Sequence, residues 1–324
     1  MLRTYLLSLI SSGIIRDQQS MTEFFRKTFW AQQYNDFEQL QKIMDRMLSL
    51  LTTWGFVQGN DDLQQKQELF VSAGSLTSKI STGKLQATVV GKRISELYID
   101  PLTADHILQC LQNFSKEKNT FSVLQMISYT LEMRPLLRVK AKETDQIQEE
   151  LVKLSDLLLH PEPSAFDLNY EEFINSIKTA LFFESWINEK DEDYLLETFD
   201  VRPGEIRVKQ ETADWLLYAS EELAQILQYR EAVKEIKKLR IRIQHGVKED
   251  LLPLLQLKGI GRIRARKLVT NSIKSLGDLK KIDLTTLSQI LGQKVAADVK
   301  VQLGQEIKEV PKGTRKGQLS LEKF

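Results

Sequence analysis

Residues 257–268 read Leu-Lys-Gly-Ile-Gly-Arg-Ile-Arg-Ala-Arg-Lys-Leu. An apolar residue, a Gly-Ile-Gly turn and a following helix with Ala265 and Leu268 are typical of a helix-hairpin-helix element. Glycine has no Cβ, so Gly259 and Gly261 let the main chain come close to an anion. The amides that open the next helix can then hold a phosphate oxygen, and the stretch predicts a phosphate-binding turn.

Four cationic side chains follow the turn, namely Arg262, Arg264, Arg266 and Lys267. They put positive charge where a polyanion would lie, and nothing in the pattern indicates that bases are recognised. We therefore expect contact with a nucleic-acid backbone that does not depend on base sequence. The alternative is a tight turn between two core helices with a solvated cationic face.

The charge of the chain is distributed unevenly, although its formal net value is only +1. Residues 142–224 contain 7 Lys+Arg against 21 Asp+Glu, whereas residues 251–324 contain 15 against 6. A basic C-terminal region behind an acidic one indicates that a polyanion docks at one end of the molecule.

Other features favour a cytoplasmic protein without a metal site. The single cysteine, Cys110, excludes an intrachain disulfide and fits a reducing compartment. Residues 1–15 could pass for a signal peptide, but their apolar residues also follow the period of a core helix, which we favour. No apolar run is long enough to span a membrane. His106 lies four residues before Cys110, but no second ligand pair follows.

Residues 1–100 are predicted to form a winged helix. Ser20-x-x-Glu23 is a capping-box pattern at the start of a helix, and residues 36–54 have helical spacing that stops at Gly55. The β-prone segments 69–71 and 85–90 follow. Three helices and then strands is the order of elements in that fold.

Residues 101–247 are predicted to form a helical domain. Pro101 biases Asp100 away from helix, so the first helix is expected from Thr103. Residues 170–189 predict a long helix, and Pro203-Gly204 predicts a turn before another helix over residues 212–229.

The rest of the chain is divided into a basic domain over residues 248–308 and a flexible tail over residues 309–324. Residues 290–297 have the form of a second, degenerate copy of the glycine element, with one glycine in place of two. The copy is either a weaker phosphate site or a purely structural repeat. The whole chain is thus predicted to be mainly α-helical.

Several segments, taken together and in order, resemble the C-terminal half of the Hjm family. These are archaeal superfamily-two DNA helicases related to the helicase part of DNA polymerase theta. The resemblance covers nearly the whole chain and is carried by residues 2–9, 28–29, 91–101, 178–180, 186–189, 203–204, 211–219 and 261–268. It implies a winged helix, a helical ratchet domain and a helix-hairpin-helix domain, which in the family follow two motor domains.

The resemblance also implies roles for individual residues. Trp186 matches an aromatic residue of the ratchet helix that stacks on a base of single-stranded DNA, although the residues alone favour a core position. Lys178 would contact the DNA backbone. Arg264 and Arg266 match an Arg-Ala-Arg element that grips the emerging strand.

The family's ATP-binding motifs are missing from this sequence. It has no G-x-x-x-x-G-K-[ST] loop, so we expect no ATP hydrolysis and no cofactor on this chain. ATP and magnesium would belong to motor domains on the same or a separate chain, and the chain would be a fragment, a split-gene product or a stand-alone derivative. The resemblance then implies a nucleoid-associated accessory region of a 3'-5' DNA helicase that acts on forked or single-stranded DNA in replication and repair.

The C-terminal residues carry a separate signal. Gln318, Leu321 and Phe324 have the Q-x-x-L-x-x-F spacing of peptides that bind the sliding clamp PCNA. The usual pattern ends in two aromatic residues, and this one has a single phenylalanine. A chance match in a disordered tail is the alternative.

Three other functions remain open at this point. The chain could be a stand-alone DNA-binding adaptor that recruits the clamp. It could be a DNA repair enzyme with a helix-hairpin-helix, for which Asp283 lies at a suitable distance after the hairpin. It could also be a scaffold whose acidic helical domain binds partner proteins.

Overall fold

The computed structural model describes residues 2–28, 37–59, 84–114 and 120–305, and it divides into two compact units. The first unit is Met1–Gln244 and the second is His245–Phe324, each with its own buried apolar cluster. The described residues are mostly helical with two short strands, which confirms the expected mainly α fold. The predicted strand at residues 69–71 and the residues Gln318, Leu321 and Phe324 lie outside the described residues.

In its described residues, the first unit begins with three helices and a two-stranded sheet, in the order of a winged helix. The elements are α1 (Leu2–Ser11), α2 (Gln18–Arg26), α3 (Phe37–Thr53), β1 (Val57–Gly59) and β2 (Leu85–Ala87). The strands pair antiparallel, with Gln58 opposite Gln86. Leu6, Leu7 and Ile10 are buried, so α1 is a core helix, as expected.

Two local predictions in this region were wrong. Asp17, and not Ser20, caps α2, because its carboxylate accepts the Ser20 amide at 2.7 Å and aspartate caps a helix as well as serine does. That backbone hydrogen bond also lowers the pKa of Asp17. The strand predicted over residues 85–90 stops at Ala87, because Thr88 caps the next helix by accepting the amide of Gly91 at 3.1 Å.

The helices α4 (Val89–Leu97), α5 (Pro101–Gln112) and α6 (Thr120–Ser128) follow. Asp100 is extended and caps α5, as its position before proline predicts. The helix nevertheless begins at Pro101 and not at Thr103, because proline suits the first helical position, where no amide donor is needed.

Five further helices of the first unit follow in the described residues. They are α7 (Thr144–Leu154), α8 (Tyr170–Ile187), α9 (Glu192–Phe199), α10 (Pro203–Ile226) and α11 (Arg230–His245). Helix α8 packs on α6 and is buried along most of its length. The turn predicted at Pro203-Gly204 was wrong, since Pro203 opens a helix of 24 residues.

One continuous apolar cluster extends through the first unit from Leu6 to Ile243. The predicted boundary between residues 100 and 101 lies inside this unit, and the division into winged helix and ratchet domain stays a prediction. Within the described residues, no helix is both long enough and apolar enough to cross a membrane.

Up to residue 305, where its described part ends, the second unit contains four short helices around a small core. They are α12 (Arg262–Thr270), α13 (Leu276–Lys281), α14 (Leu284–Leu291) and α15 (Gln293–Gln302). The segment before α12 is a 3-10 turn, Glu249–Leu251, followed by further turns, and it is not a regular α-helix. Pro253 has no amide hydrogen to donate, which interrupts the helical hydrogen bonds there.

Candidate nucleic-acid interface

The Gly-Ile-Gly turn has an exposed and unobstructed main chain. Gly259 has φ 83°, a left-handed conformation that favours glycine. Gly261 is the extended N-cap residue before α12, and it makes no side-chain cap hydrogen bond. A Cβ built on either glycine would meet no atom within 4 Å. The main chain of the turn is therefore open to an approaching anion.

Buried side chains on both sides fix this turn in place. Leu257 and Ile260 are 7% and 4% exposed, and Ala265 and Leu268 are fully buried. The apolar frame that predicted the turn thus packs into the core of the second unit. An anion at the turn would meet a preformed site.

The cations that follow the turn lie in different surroundings. Arg264 is exposed and its Nη1 donates to the carbonyl oxygen of Gly259 at 2.7 Å, so its charge lies beside the turn. Lys267 is exposed, and Arg262 is partly buried. Together with the amides of α12, Arg264 makes the N-terminal end of the helix positive, whereas Lys267 lies in its last turn.

Arg266 is held by an acidic partner in a two-point contact. Its Nη1 and Nη2 donate to the two carboxylate oxygens of Asp250 at 2.8 and 3.1 Å. This hydrogen bonding lowers the pKa of Asp250. The stability that the pair contributes is therefore present above the unfolded-state pKa of an aspartate and is lost as the pH falls through the lower folded value. A phosphate would have to compete with Asp250 for Arg266.

Replacing Asp250 by asparagine is expected to strengthen DNA binding by about twofold to fivefold, the range that an exposed ion pair of up to ~1 kcal/mol allows. The change releases Arg266 to a phosphate. Asp298→Asn is the matched control, because Asp298 is exposed in the same unit and its loss changes the net charge equally. Fluorescence anisotropy with labelled single-stranded DNA measures both variants. An equal gain in the two would show that only net charge matters.

The second glycine element repeats the burial pattern of the first. Leu291 is 9% exposed and Ala296 is fully buried, in the positions that Ile260 and Ala265 hold relative to Gly261. Gly292 has φ 87° and connects α14 directly to α15. Only one residue, Lys294, adds an exposed cation to the first turn of α15. The second glycine element thus packs as the first one does, and it carries less positive charge than the Gly-Ile-Gly turn.

Asp283, considered for a repair enzyme, caps a helix in this structure. Its Oδ1 accepts the amide of Thr286 at 2.8 Å and its Oδ2 accepts the Thr286 hydroxyl at 2.7 Å. The backbone hydrogen bond from Thr286 lowers the pKa of Asp283. The residue therefore has a structural explanation that requires no catalysis.

Both residues of helix α8 that were predicted to contact DNA donate hydrogen bonds to other parts of the first unit. Trp186 is half-buried and its Nε1 donates to the carbonyl oxygen of Ile243 at 2.7 Å. The side chain of Lys178 is 3% exposed, and its Nζ donates to Glu143 at 2.6 Å and to the Arg138 carbonyl oxygen at 2.9 Å. We therefore leave Trp186 and Lys178 out of the proposed interface.

Helix α10 offers a more exposed tryptophan, which the sequence analysis did not single out. Trp215 is 36% exposed, and its Nε1 donates to the carbonyl oxygen of Leu97 at 3.0 Å. Val208, two turns earlier on the same face, is 63% exposed. The sequence signal that could have identified Trp215 and Val208 is their spacing of two helical turns, which puts both apolar side chains on one face of a long helix.

The comparisons with known proteins give one consistent result. Residues 121–246 match a family model described as archaeal helicase, domain 4. A Methanocaldococcus jannaschii protein, named ATP-dependent DNA helicase Hel308, is 34% identical over 303 residues, which cover 94% of this chain and 22% of that protein. Proteins of the same name from Pyrococcus abyssi and Methanococcus vannielii are 31% and 29% identical.

These matches cover nearly all of this chain but less than half of each relative. The Pyrococcus abyssi match covers 98% of this chain and 41% of the relative, and the Methanococcus vannielii match covers 94% and 43%. The chain thus corresponds to one part of longer proteins.

Proposed function

Because the chain belongs to the archaeal Hel308 helicases and matches their C-terminal part, we propose that it is a DNA-binding region that works with a helicase motor. The earlier resemblance to archaeal superfamily-two helicases is confirmed by these relatives. The relatives are named as ATP-dependent helicases, and in our proposal ATP and magnesium bind motor domains on the same or a separate chain. This chain supplies the grip on DNA.

The open glycine turn of the second unit is the observation that carries this proposal. Its N-cap glycine gives the helix no side-chain cap, its glycines leave room for a phosphate, and Arg264 beside the turn and Lys267 in the last turn of α12 add exposed positive charge. Such a site holds the sugar-phosphate backbone and leaves the bases unread. We propose that it grips forked or single-stranded DNA in this way during replication and repair.

A salt titration of DNA binding tests the proposal. If Arg262, Arg264 and Lys267 each neutralise one phosphate of single-stranded DNA, log K should fall with log salt with a slope of roughly −2. Labelled single-stranded, forked and blunt duplex oligonucleotides of several sequences are the probes. We expect similar affinities for different sequences of one shape. Absence of binding to every shape at low salt would refute the function.

Within the first unit, we propose that Trp215 stacks on a base of the bound strand. Trp215→Ala should weaken single-stranded DNA binding by about 1–3 kcal/mol, the usual value of one stacked base, and Trp215→Phe should retain most of the affinity. Trp186→Phe is the comparison, since it should lower the thermal midpoint and leave DNA affinity unchanged. The reverse result would return the stacking role to Trp186.

The proposal for the sliding clamp rests on the sequence pattern alone. Gln318, Leu321 and Phe324 keep the spacing of a clamp-binding peptide. A synthetic peptide of residues 309–324 should bind PCNA in calorimetry, and a peptide with Leu321→Ala and Phe324→Ala should not. Equal binding of both peptides, or none, would remove the clamp from the partners.

A further inference from the structure

The two most exposed large apolar side chains of the described residues lie on one hydrogen-bonded turn. Phe166 is 98% exposed and Leu168 is 100% exposed. The turn is closed by the Ser164 amide, which donates to Asp167 Oδ2 at 2.9 Å, and by the Asp167 amide, which donates to the Ser164 carbonyl oxygen at 2.8 Å. The Tyr170 amide ties the turn to α8 by donating to the Asp167 carbonyl oxygen at 3.0 Å. The exposure of Phe166 and Leu168 is therefore built into the local structure.

Leu168 lies at the edge of an open cavity of about 650 Å³. Three aromatic rings line it, those of His106, Tyr129 and His160, with ring centroids 5.4–6.0 Å apart. Leu136 adds an aliphatic surface. The cavity is large enough for one or two amino-acid side chains, and its aromatic lining suits apolar or cationic groups.

The charges around this cavity are mainly negative. Asp105, Asp167 and Glu172 line it, and among the described lining residues Arg134 is the one Lys or Arg. Arg134 Nη2 already donates to Glu172 at 2.6 Å. Burial, with the nearby His160, lowers the pKa of His106 to about 4, so His106 carries no charge at neutral pH. The site would therefore repel phosphate groups and attract cations.

We propose that this turn and cavity, which we call the acidic pocket, bind a partner protein through a basic peptide segment that carries an aromatic or aliphatic side chain. The apolar side chain covers Phe166 and Leu168, and an adjacent lysine or arginine enters the cavity towards Asp105 and Asp167. Charge complementarity selects this occupant over single-stranded DNA, whose phosphates the carboxylates repel. The inference is independent of the DNA-binding function proposed for the glycine turn.

The test is a selection from displayed random short peptides on the full chain, with counter-selection on a Phe166→Ser plus Leu168→Ser variant. Because both side chains are almost fully exposed, the variant should keep the native thermal midpoint and DNA affinity. We expect enriched peptides that combine lysine or arginine with phenylalanine, tryptophan or leucine. They should bind the native chain at least roughly tenfold more tightly than the variant, the loss expected for a central interface contact.

Asp105→Asn plus Asp167→Asn then separates charge from apolar contact, and it should weaken the selected peptides and abolish their salt dependence. Three outcomes would overturn the proposal. The first is enrichment of acidic or uncharged peptides, or no enrichment over the variant. The second is concentration-dependent dimerisation in sedimentation that Phe166→Ser plus Leu168→Ser removes. The third is crosslinking of an oligo-dT probe to Phe166 or Tyr129, since that would make DNA the occupant.

Discussion

Gly91→Ala is expected to unfold the first unit well below the melting temperature of the native chain. A Cβ on Gly91 would lie 2.0 Å from the carbonyl oxygen of Phe56 and 2.8 Å from its carbonyl carbon. These are backbone atoms at the start of the sheet, next to the fully buried Phe56 side chain, so they cannot move aside cheaply. We expect a loss of about 3 kcal/mol or more, at the upper end of overpacking effects, measured by chemical and thermal denaturation.

Gly204→Ala is the matched control for this change. Gly204 lies in the first turn of α10 in the same unit, and a Cβ there meets no atom within 4 Å. Alanine should be neutral or stabilise the helix by up to about 1 kcal/mol. If the Gly91→Ala and Gly204→Ala variants have the same melting temperature, the close approach of α4 to the Phe56 backbone would be contradicted.

Lys178→Met should also destabilise the first unit strongly while leaving DNA binding intact. The change removes the ammonium from Glu143, whose carboxylate is 18% exposed, and from the Arg138 carbonyl oxygen. Loss of one partner of a buried pair costs about 3–5 kcal/mol. Because Glu143 keeps some contact with water, we expect about 2–3 kcal/mol in a denaturant titration.

The pH dependence of stability gives a second measure of the same contact. Burial raises the pKa of Glu143. The hydrogen bonds from the Lys140 amide and the Lys178 ammonium together lower that pKa by more than burial raises it, so the net shift is downward. The stabilising contribution of Glu143 is therefore present above the unfolded-state pKa of a glutamate and is lost as the pH falls through the lower folded value. Lys178→Met should reduce this acid sensitivity.

Lys142→Met is the control, since Lys142 is an exposed lysine in the same segment. It should change neither stability nor its pH dependence. A large loss of DNA affinity in Lys178→Met but not in Lys142→Met, with native stability, would indicate that Lys178 contacts the DNA backbone after all.

The helical pattern of the chain could be predicted because apolar periodicity and strong stop signals are local properties. Residues 36–54 were predicted as a helix ending at Gly55, and α3 spans Phe37–Thr53. The glycine turn was found because its conformational demand is local too, and Gly259 indeed has a positive φ. Where two local signals compete, as for Asp17 and Ser20, the sequence offers no criterion to rank them.

The roles of individual side chains depended on contacts that local patterns do not encode. Lys178 is buried because Glu143, 35 residues earlier, lies beside it in the fold. Helical spacing alone could not show that Trp186 donates to Ile243 while Trp215 keeps part of its surface exposed. Likewise, the two-point contact between Arg266 and Asp250 requires the turns before α12 to bring Asp250 back.

The most direct measurement of the central claim is the DNA affinity of Gly261→Val. Gly261 has φ −102°, which valine also adopts, and a Cβ there meets no atom within 4 Å, so we expect Gly261→Val to fold. The valine side chain would occupy the space through which a phosphate reaches the α12 amides. We expect about tenfold weaker binding of single-stranded and forked DNA, the value of one hydrogen bond to a charged group of ~1.5 kcal/mol. Gly277→Ala, within α13 of the same unit, should bind as the native chain does. Native affinity of Gly261→Val for every DNA would contradict the account.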